Sequence, residues 1–359
     1  MSIFAASGFE DSRANDAVTR GSAVAAVVVD LCSGMGGLSL AARQLGMRVV
    51  AAVDTNTTAL RTYAKNFPEA TTVERTIAGP RATNECKAAL RQRDPAAAPL
   101  VVLSGPPCQG FSAAGSRNPS DKRNKVLLAV ARSIVHLAPE CALVENVATL
   151  LKEKHMPRLR DFRRRLEAAG YSVLALLLDA QDFGVPQRRE RAFFLITRKP
   201  INEQNVRRRL DDLKARKVPV RAALSGLPAA TDRPDEYKDE QDSLAVPNHF
   251  AMRHSAKVQH KIAALQPGTG PMSYRKLHPD RPSNTLFSGH RAPPAHYEFP
   301  RSITVREAAR LQGFPDSFRI YGSFANQMEQ VTNAVPPPLA EAVLRVLAEQ
   351  AGLGIRAHV

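Results

Sequence analysis

The first two hundred residues alternate between apolar runs and periodic stretches. Ala23–Val29, Arg48–Val53, Leu100–Leu103 and Cys141–Val144 are short, nearly continuous apolar runs rich in β-branched residues. Strands buried on both faces, as in a parallel sheet, read this way. Between them the spacing changes to the helical period. Leu38, Ala41, Ala42 and Leu45 share one face and stop at Gly46. Leu127, Val130, Ile134 and Leu137 mark a second helix closed by Pro139, and Leu159, Phe162, Leu166 and Ala169 a third. Val173–Leu178 and Ala192–Thr197 read as a strand pair. Strands alternating with helices predict an open α/β sheet. Loops that follow the strands then share the carboxyl edge, where such sheets place their ligands.

After Arg198 the pattern loosens. Residues 201–300 scatter Pro, Gly, His and charge, with short helices expected over Val206–Ala215 and Ser255–Leu265. Order returns at Thr304-Val305-Arg306-Glu307, a capping box that opens a helix through Leu311. Pro336-Pro337-Pro338 leads into a last helix with Leu339, Val343 and Leu347 on one face. The expected organisation is an N-terminal arm over 1–21, a catalytic domain over 22–200, an irregular domain over 201–300 and a return over 301–359.

Composition narrows the partners. The 359 residues carry a formal charge of +16, which favours a polyanion such as nucleic acid. The four cysteines, Cys32, Cys86, Cys108 and Cys141, form no Cys-x-x-Cys pair, which argues against a structural zinc site. Neither a secretory signal nor a run of transmembrane length is present. The expectation is a cytoplasmic, nucleoid-associated monomer with reduced thiols and no membrane partner.

The chemistry-bearing residues cluster where strands end. Asp30-Leu31-Cys32-Ser33-Gly34-Met35-Gly36-Gly37 joins the first strand to its helix. Glycines there let backbone approach a ligand, although a tight turn alone also explains them. The spacing is not Gly-x-Gly-x-x-Gly, which argues against a dinucleotide. Asp54 closes the second strand, placed for ribose hydroxyls or for a helix N-cap. Gly105-Pro106-Pro107-Cys108-Gln109-Gly110-Phe111 puts a thiol on a stiff loop. A buried structural cysteine is the plainer reading of Cys108 by itself. Glu145 ends the next strand, positioned for acid–base work or simply solvated. Gln187-Arg188-Arg189-Glu190-Arg191 offers either anion-binding arginines or a surface ion-pair cluster. Together these residues fit group transfer from a nucleotide-like cofactor, with Cys108 as nucleophile.

With these motifs in order, the chain resembles the DNA (cytosine-5) methyltransferase family from Val27 to Leu347. Arg281-Pro282-Ser283-Asn284-Thr285 and Asn333-Ala334-Val335-Pro336 complete the match. The resemblance implies an α/β, Rossmann-like S-adenosylmethionine-dependent methyltransferase fold, with a mixed, mostly parallel sheet and a smaller irregular target-recognition domain. It implies transfer of a methyl group to carbon 5 of cytosine in a specific double-stranded DNA sequence. The base is flipped out, as enzymes that act on a base within a duplex require, and held as a covalent Cys108 adduct. Glu145 serves ring nitrogen 3, while Gln187, Arg189 and Arg191 complete the catalytic set. Cofactor contacts fall on Asp30, Leu31, Cys32, Ser33, Gly34, Met35, Gly36, Gly37, Asp54, Thr76, Ile77, Pro107, Asn333, Ala334 and Val335. A restriction endonuclease acting on the same site is an implied companion. The chain departs from the family pattern at Cys32, usually Phe, at Thr76, usually near an acid, and at Thr332, usually Gly. A tRNA cytosine-5 methyltransferase is the alternative within the superfamily. A thiol hydrolase would need a histidine partner for Cys108, and the motifs contain none. A non-catalytic DNA reader would not need the complete set of Cys108, Glu145 and Arg189.

Overall fold

The computed structural model describes residues 26–94, 98–107, 126–232, 246–271, 274–287 and 293–355. The chain opens with β1 (Val27–Leu31), α1 (Gly37–Gln44), β2 (Arg48–Asp54), α2 (Thr57–Asn66), β3 (Thr71–Glu74) and α3 (Pro80–Arg93). It continues through β4 (Leu100–Ser104), α4 (Val126–Leu137), β5 (Cys141–Val147), α5 (Met156–Glu167), β6 (Ser172–Asp179) and β7 (Glu190–Thr197). The apolar runs are the strands. β1 is buried at every position, as a central parallel strand must be.

The seven strands form one sheet in the order β3-β2-β1-β4-β5-β7-β6. β1 pairs in parallel with both β2 and β4, and β7 is antiparallel to β5 and β6. The chain winds outward from β1 to β3, then returns to the centre and winds the other way from β4. The reversal lies between β1 and β4, so their carboxyl ends flank the crevice in which such sheets hold ligands. Register then sets the heights. Leu31 pairs with Val53 on one side and Ser104 on the other, and Ser104 pairs with Val144. Cys32, Asp54, Gly105 and Glu145, the residues that follow those partners, share one level along the edge.

Two apolar layers cover the sheet. Residues of α1 and α2 pack on one face together with the last helix, α11; α3, α4 and α5 pack on the other. Four elements precede the return of the chain: α6 (Glu203–Asp212), α7 (Val220–Leu224), the β8 (Thr231–Asp232) and β9 (Phe250–Ala251) ladder, and α8 (Ala256–Ala263). α9 (Val305–Leu311), α10 (Phe324–Asn333) and α11 (Pro337–Ala351) follow. α9 has the expected capping box, Thr304 with Glu307. α11 packs beside α1, returning the end of the chain to the first layer.

Two parts of the chain differ from the pattern reading. The chain beyond residue 200 was expected to leave the core. Yet Val206, Leu210, Val220 and Leu224 belong to the same buried cluster as α1 and α11, and Arg209 pairs with Glu349 of α11. α6 is therefore part of the catalytic layer. β3 and α3 escaped notice because β3 is a four-residue strand at the sheet edge, with only Val73 buried, and α3 is mostly polar.

Candidate active site

The first loop begins at a left-handed residue. Cys32 has φ +57, rare for a side chain with a Cβ, and Gly34 and Gly36 follow at φ +54 and +101. The loop is tied to the second strand, because Ser33 N–H donates to Val53 O and Gly34 N–H donates to Asp54 Oδ2 at 2.8 Å. Asp54 Oδ1 accepts from Asn56 N–H, and Asn56, not Asp54, caps α2.

The glycines divide into two kinds. A Cβ on Gly34 would meet nothing within 4 Å, so this glycine faces open space. A Cβ on Gly37 would lie 2.2 Å from Val335 O, and one on Gly36 would lie 2.5 Å from the Phe67 ring. The family resemblance implies a cofactor contact for all of them, and a tight turn alone was the alternative. The structure gives Gly36 and Gly37 to close internal packing, where the start of α1 meets the Asn333–Pro336 turn and α2.

Asp30 is fully buried at the end of β1. Its Oδ2 accepts from Ser39 Oγ at 2.6 Å, and Ser39 Oγ lies 2.5 Å from Tyr63 Oη. Burial pushes its pKa up to about 7; the Ser39 hydrogen bond opposes this and the charge of Asp54 adds to it. Burial, with the charges of Asp54 and Asp30, also pushes the Cys32 thiol far up, so it stays protonated. Asp30 Oδ1 and Ser33 Oγ are buried and have no hydrogen-bond partner among the described residues. Beside the open space at Gly34, these two atoms and the remaining lone pairs of Asp54 are a polar set still lacking donors. A ribose bearing hydroxyls and an amino-acid moiety bearing an ammonium group fit that set. Thr76 is exposed and Ile77 buried beyond β3, while Asn333 is exposed and Val335 buried where α10 gives way to α11.

On the other side of the crevice, Pro106 is buried and Pro107 exposed. Asn146 Nδ2 donates to Pro106 O at 3.1 Å, and Asn146 Oδ1 accepts from Val147 N–H. The side chain of β5 therefore pins the loop that leads to Cys108. Cys108 itself, with Gln109–Ser112, lies outside the described residues.

Glu145 is 7 % exposed and forms an ion pair with Arg191, Oε1 to Nε at 2.9 Å. Burial raises the Glu145 pKa; Arg191, then Arg189, oppose that shift. A carboxyl so placed holds its proton more readily than a solvated one. A Cβ on Gly105 would lie 3.7 Å from Cys32 O, 3.9 Å from Glu145 Oε2 and 4.0 Å from Val335 Cγ2. Four motifs that are far apart in sequence thus surround one point at the switch of the sheet.

The arginine motif divides as well. Arg191, at the start of β7, faces Glu145 because it pairs across the ladder with Val147. Arg189 is buried, and its guanidinium donates to Thr332 O at 2.7 Å, Ala334 O at 3.1 Å and Leu286 O at 3.5 Å. Gln187 is fully buried; its Nε2 donates to Leu311 O and Gln312 Oε1, and its Oε1 accepts from Leu286 N–H. Both were expected among the catalytic groups. Their side chains tie the chain entering β7 to residue 286 and to the ends of α9 and α10, while the charge of Arg189 still acts on Glu145. Asn146 and Gln312 are polar residues of the site to which the sequence pattern gave no role. Asn146 stands next to Glu145 in a strand otherwise apolar, and that was the available signal.

The convergence of a buried carboxyl, its arginine and the pinned Pro106 at the switch point agrees with the known proteins this chain resembles. A sequence profile described as C-5 cytosine-specific DNA methylase matches residues 26–349. The chain belongs to that family. It is 30% identical to the type II methyltransferase M.XorII of Xanthomonas oryzae pv. oryzae, covering 88% of this chain and 82% of the relative. It is 28% identical to the type II methyltransferase M.DdeI of Desulfomicrobium norvegicum, covering 88% and 87%. Among solved structures it is similar to a candidate DNA modification methyltransferase encoded within an E. coli prophage. That match has a TM-score of 0.76 at 28% identity and covers 91% of this chain and 99% of that one. The S. pombe Dnmt2 methyltransferase shares the fold, with a TM-score of 0.62 at 18% identity over 90% and 98%. This family member is a DNA cytosine-5 methyltransferase, and its class uses S-adenosylmethionine. Among the described residues no helix is long and apolar enough to cross a membrane, and no group of side chains could hold a metal ion.

Proposed function

We propose that the enzyme methylates carbon 5 of cytosine within a specific duplex DNA sequence, through a covalent Cys108 adduct on a flipped-out base. The observation that carries this reading is the Glu145–Arg191 pair, at the level of Gly105 and three residues from Cys108. Carbon 5 of cytosine is a poor nucleophile. The Cys108 thiolate adds to carbon 6, and the displaced electron pair moves into the ring toward nitrogen 3. Glu145, whose pKa burial raises against the pull of Arg191, donates a hydrogen bond or proton to nitrogen 3 and offsets the developing charge. Arg191 orients Glu145 and reaches the base carbonyl with its remaining donors. Bound S-adenosylmethionine supplies an electrophilic methyl group for carbon 5. Loss of the carbon 5 proton to a base and departure of the thiolate restore the aromatic ring.

Asp54 holds the ribose hydroxyls, and Asp30, Ser33 and the open side of Gly34 hold the amino-acid end of the cofactor. Thr76, Ile77, Pro107, Asn333, Ala334 and Val335 complete that pocket. Gln187 and Arg189 position it rather than touch the base. The segment between α7 and α9 carries target recognition within residues 201–300. The protein acts as a cytoplasmic monomer on nucleoid DNA, and the type II names of its relatives suggest a companion endonuclease for the same site.

Mapping 5-methylcytosine in DNA from cells expressing the chain gives the target sequence; methylated tRNA with unmethylated DNA would favour the tRNA alternative. A duplex with 5-fluorocytosine at that target should then trap the wild type covalently. Cys108→Ser should bind it but escape trapping, because an alcohol is a far weaker nucleophile than a thiolate. Equal trapping of both proteins would refute the assignment of Cys108.

A further inference from the structure

The positive charge is unevenly distributed over the two helical layers. α1, α2, α6 and α11, on one face of the sheet, carry seven Lys or Arg against five Asp or Glu. α3, α4 and residues 148–167, on the other, carry twelve against four. Within that second layer the α4–α5 junction opens into a groove of about 590 Å³. Its walls are Ala131, Arg132, Val135 and His136 of α4 with Arg165 and Ala168 from the end of α5. Every lining residue is apolar or basic.

Arg132 and Arg165 are exposed, and among the described residues neither has a carboxylate within 4 Å. Their neighbours Arg163 and Arg164 do, pairing with Glu167 and Asp161 on their own helix. His136 Nε2 lies 3.1 Å from Asn84 Oδ1, which fixes the ring at the groove's edge against α3. Two forked guanidiniums over a shallow apolar floor suit phosphodiester oxygens, which accept paired N–H donors.

The groove is not part of the catalytic crevice. α4 leads into the first residue of β5, and α5 leads into the first residue of β6, so the groove lies at the amino ends of those strands. Glu145 lies toward the other end. The seven residues of β5 separate the two edges by about 20 Å at about 3.3 Å per residue. A straight duplex seated in the crevice therefore does not also lie along this face.

We propose that the α3–α4–α5 face, centred on the Arg132–Arg165 groove, is a second binding surface for the backbone of duplex DNA, holding a segment other than the one being methylated. The proposal rests on the DNA-directed activity established above and extends it to a site without sequence readout. Such a surface keeps the enzyme on DNA between targets, since phosphate contacts hold a duplex without regard to sequence.

The test is the stoichiometry of binding by the full chain to random-sequence duplexes of roughly 16 base pairs, each too stiff to bend around the sheet from one edge to the other. At low ionic strength the wild type binds two duplexes per chain, and R132E/R165E binds one. In the wild type, the two guanidinium contacts contribute about −1.8 to the log–log salt slope of the weaker site, at about 0.9 each. R132Q/R165Q shows the same loss with a milder change and serves if the double reversal fails to fold. Methyl transfer to plasmid DNA from labelled S-adenosylmethionine is retained in both variants. One duplex per wild-type chain, or two per variant chain, overturns the proposal. Loss of methyl transfer in the wild type would instead refute the reading of the catalytic site and leave the stoichiometry to be judged by itself.

Discussion

Replacing Gly37 by Ala separates packing from ligand approach in the glycine loop. The added carbon would lie 2.2 Å from Val335 O, where ordinary contact begins at 3.4 Å, so one side must move by about 1 Å. Neither side yields easily. Gly37 is the first residue of α1, and Val335 lies on a turn clamped by Arg189 through Thr332 O and Ala334 O. Overpacking of this kind costs about 1–3 kcal/mol, and a contact with rigid backbone belongs at the upper end. At about 2–4 °C per kcal/mol for a domain of moderate size, the melting temperature should fall by roughly 6–12 °C. Gly34→Ala is the control. It meets no neighbour but keeps φ +54, so only the left-handed penalty of about 1–2 kcal/mol applies. Calorimetric melting of both variants, with titration of S-adenosylmethionine into each, reads the two effects. Gly37→Ala should lose more stability. Gly34→Ala should stay folded and bind the cofactor more weakly, because its new methyl occupies the open side. A smaller melting loss for Gly37→Ala than for Gly34→Ala would refute the division of the glycines.

Cys32→Phe should tighten S-adenosylmethionine binding about 2- to 12-fold, since a ring stacked on the adenine contributes roughly 0.5–1.5 kcal/mol beyond burial. Weaker binding by a folded variant in calorimetric titration would show that Cys32 does not face the adenine. Stability should also depend on pH through the buried histidines. Burial lowers the pKa of His249 and His254, and that of His296 to about 4. Between pH 6.5 and about 4 the unfolded chain binds protons that the folded chain refuses. Stability is therefore complete above pH 6.5 and declines as pH falls through that window, by about 3 kcal/mol for His296 alone. Denaturant titration from pH 7.5 to 4.5 checks this, and a His296→Asn variant with an unflattened profile would contradict it. Glu307, whose pKa the Arg301 pair lowers against burial, adds its own loss only below the ordinary carboxylate range.

The chain's local pattern was enough to mark the sheet's strands other than β3, and the loops at the ends of the central ones. Strands buried on both faces read as unbroken apolar runs, and the polar residues that interrupt the ends of such runs, Asp30, Asp54 and Glu145, must lie at the carboxyl edge. The capping box at Thr304 was equally plain, because its bonds close within four residues. Tertiary structure decided what each residue in a motif does. Nothing within Gln187–Arg191 says that Gln187 and Arg189 turn inward while Arg191 meets Glu145. That outcome depends on Leu286, Gln312 and Thr332, which lie about a hundred residues or more away in the chain, and on the β5–β7 register. Nor can Gly34, Gly36 and Gly37 be told apart without Val335 and Phe67, the atoms that a side chain there would strike. The basic residues of α4 and α5 were legible as charge, but the groove between Arg132 and Arg165 exists only because the sheet brings the last turns of two helices side by side. Local sequence fixes backbone periodicity through short-range sterics and burial. Side-chain partners across the chain are fixed by packing, which no local period encodes.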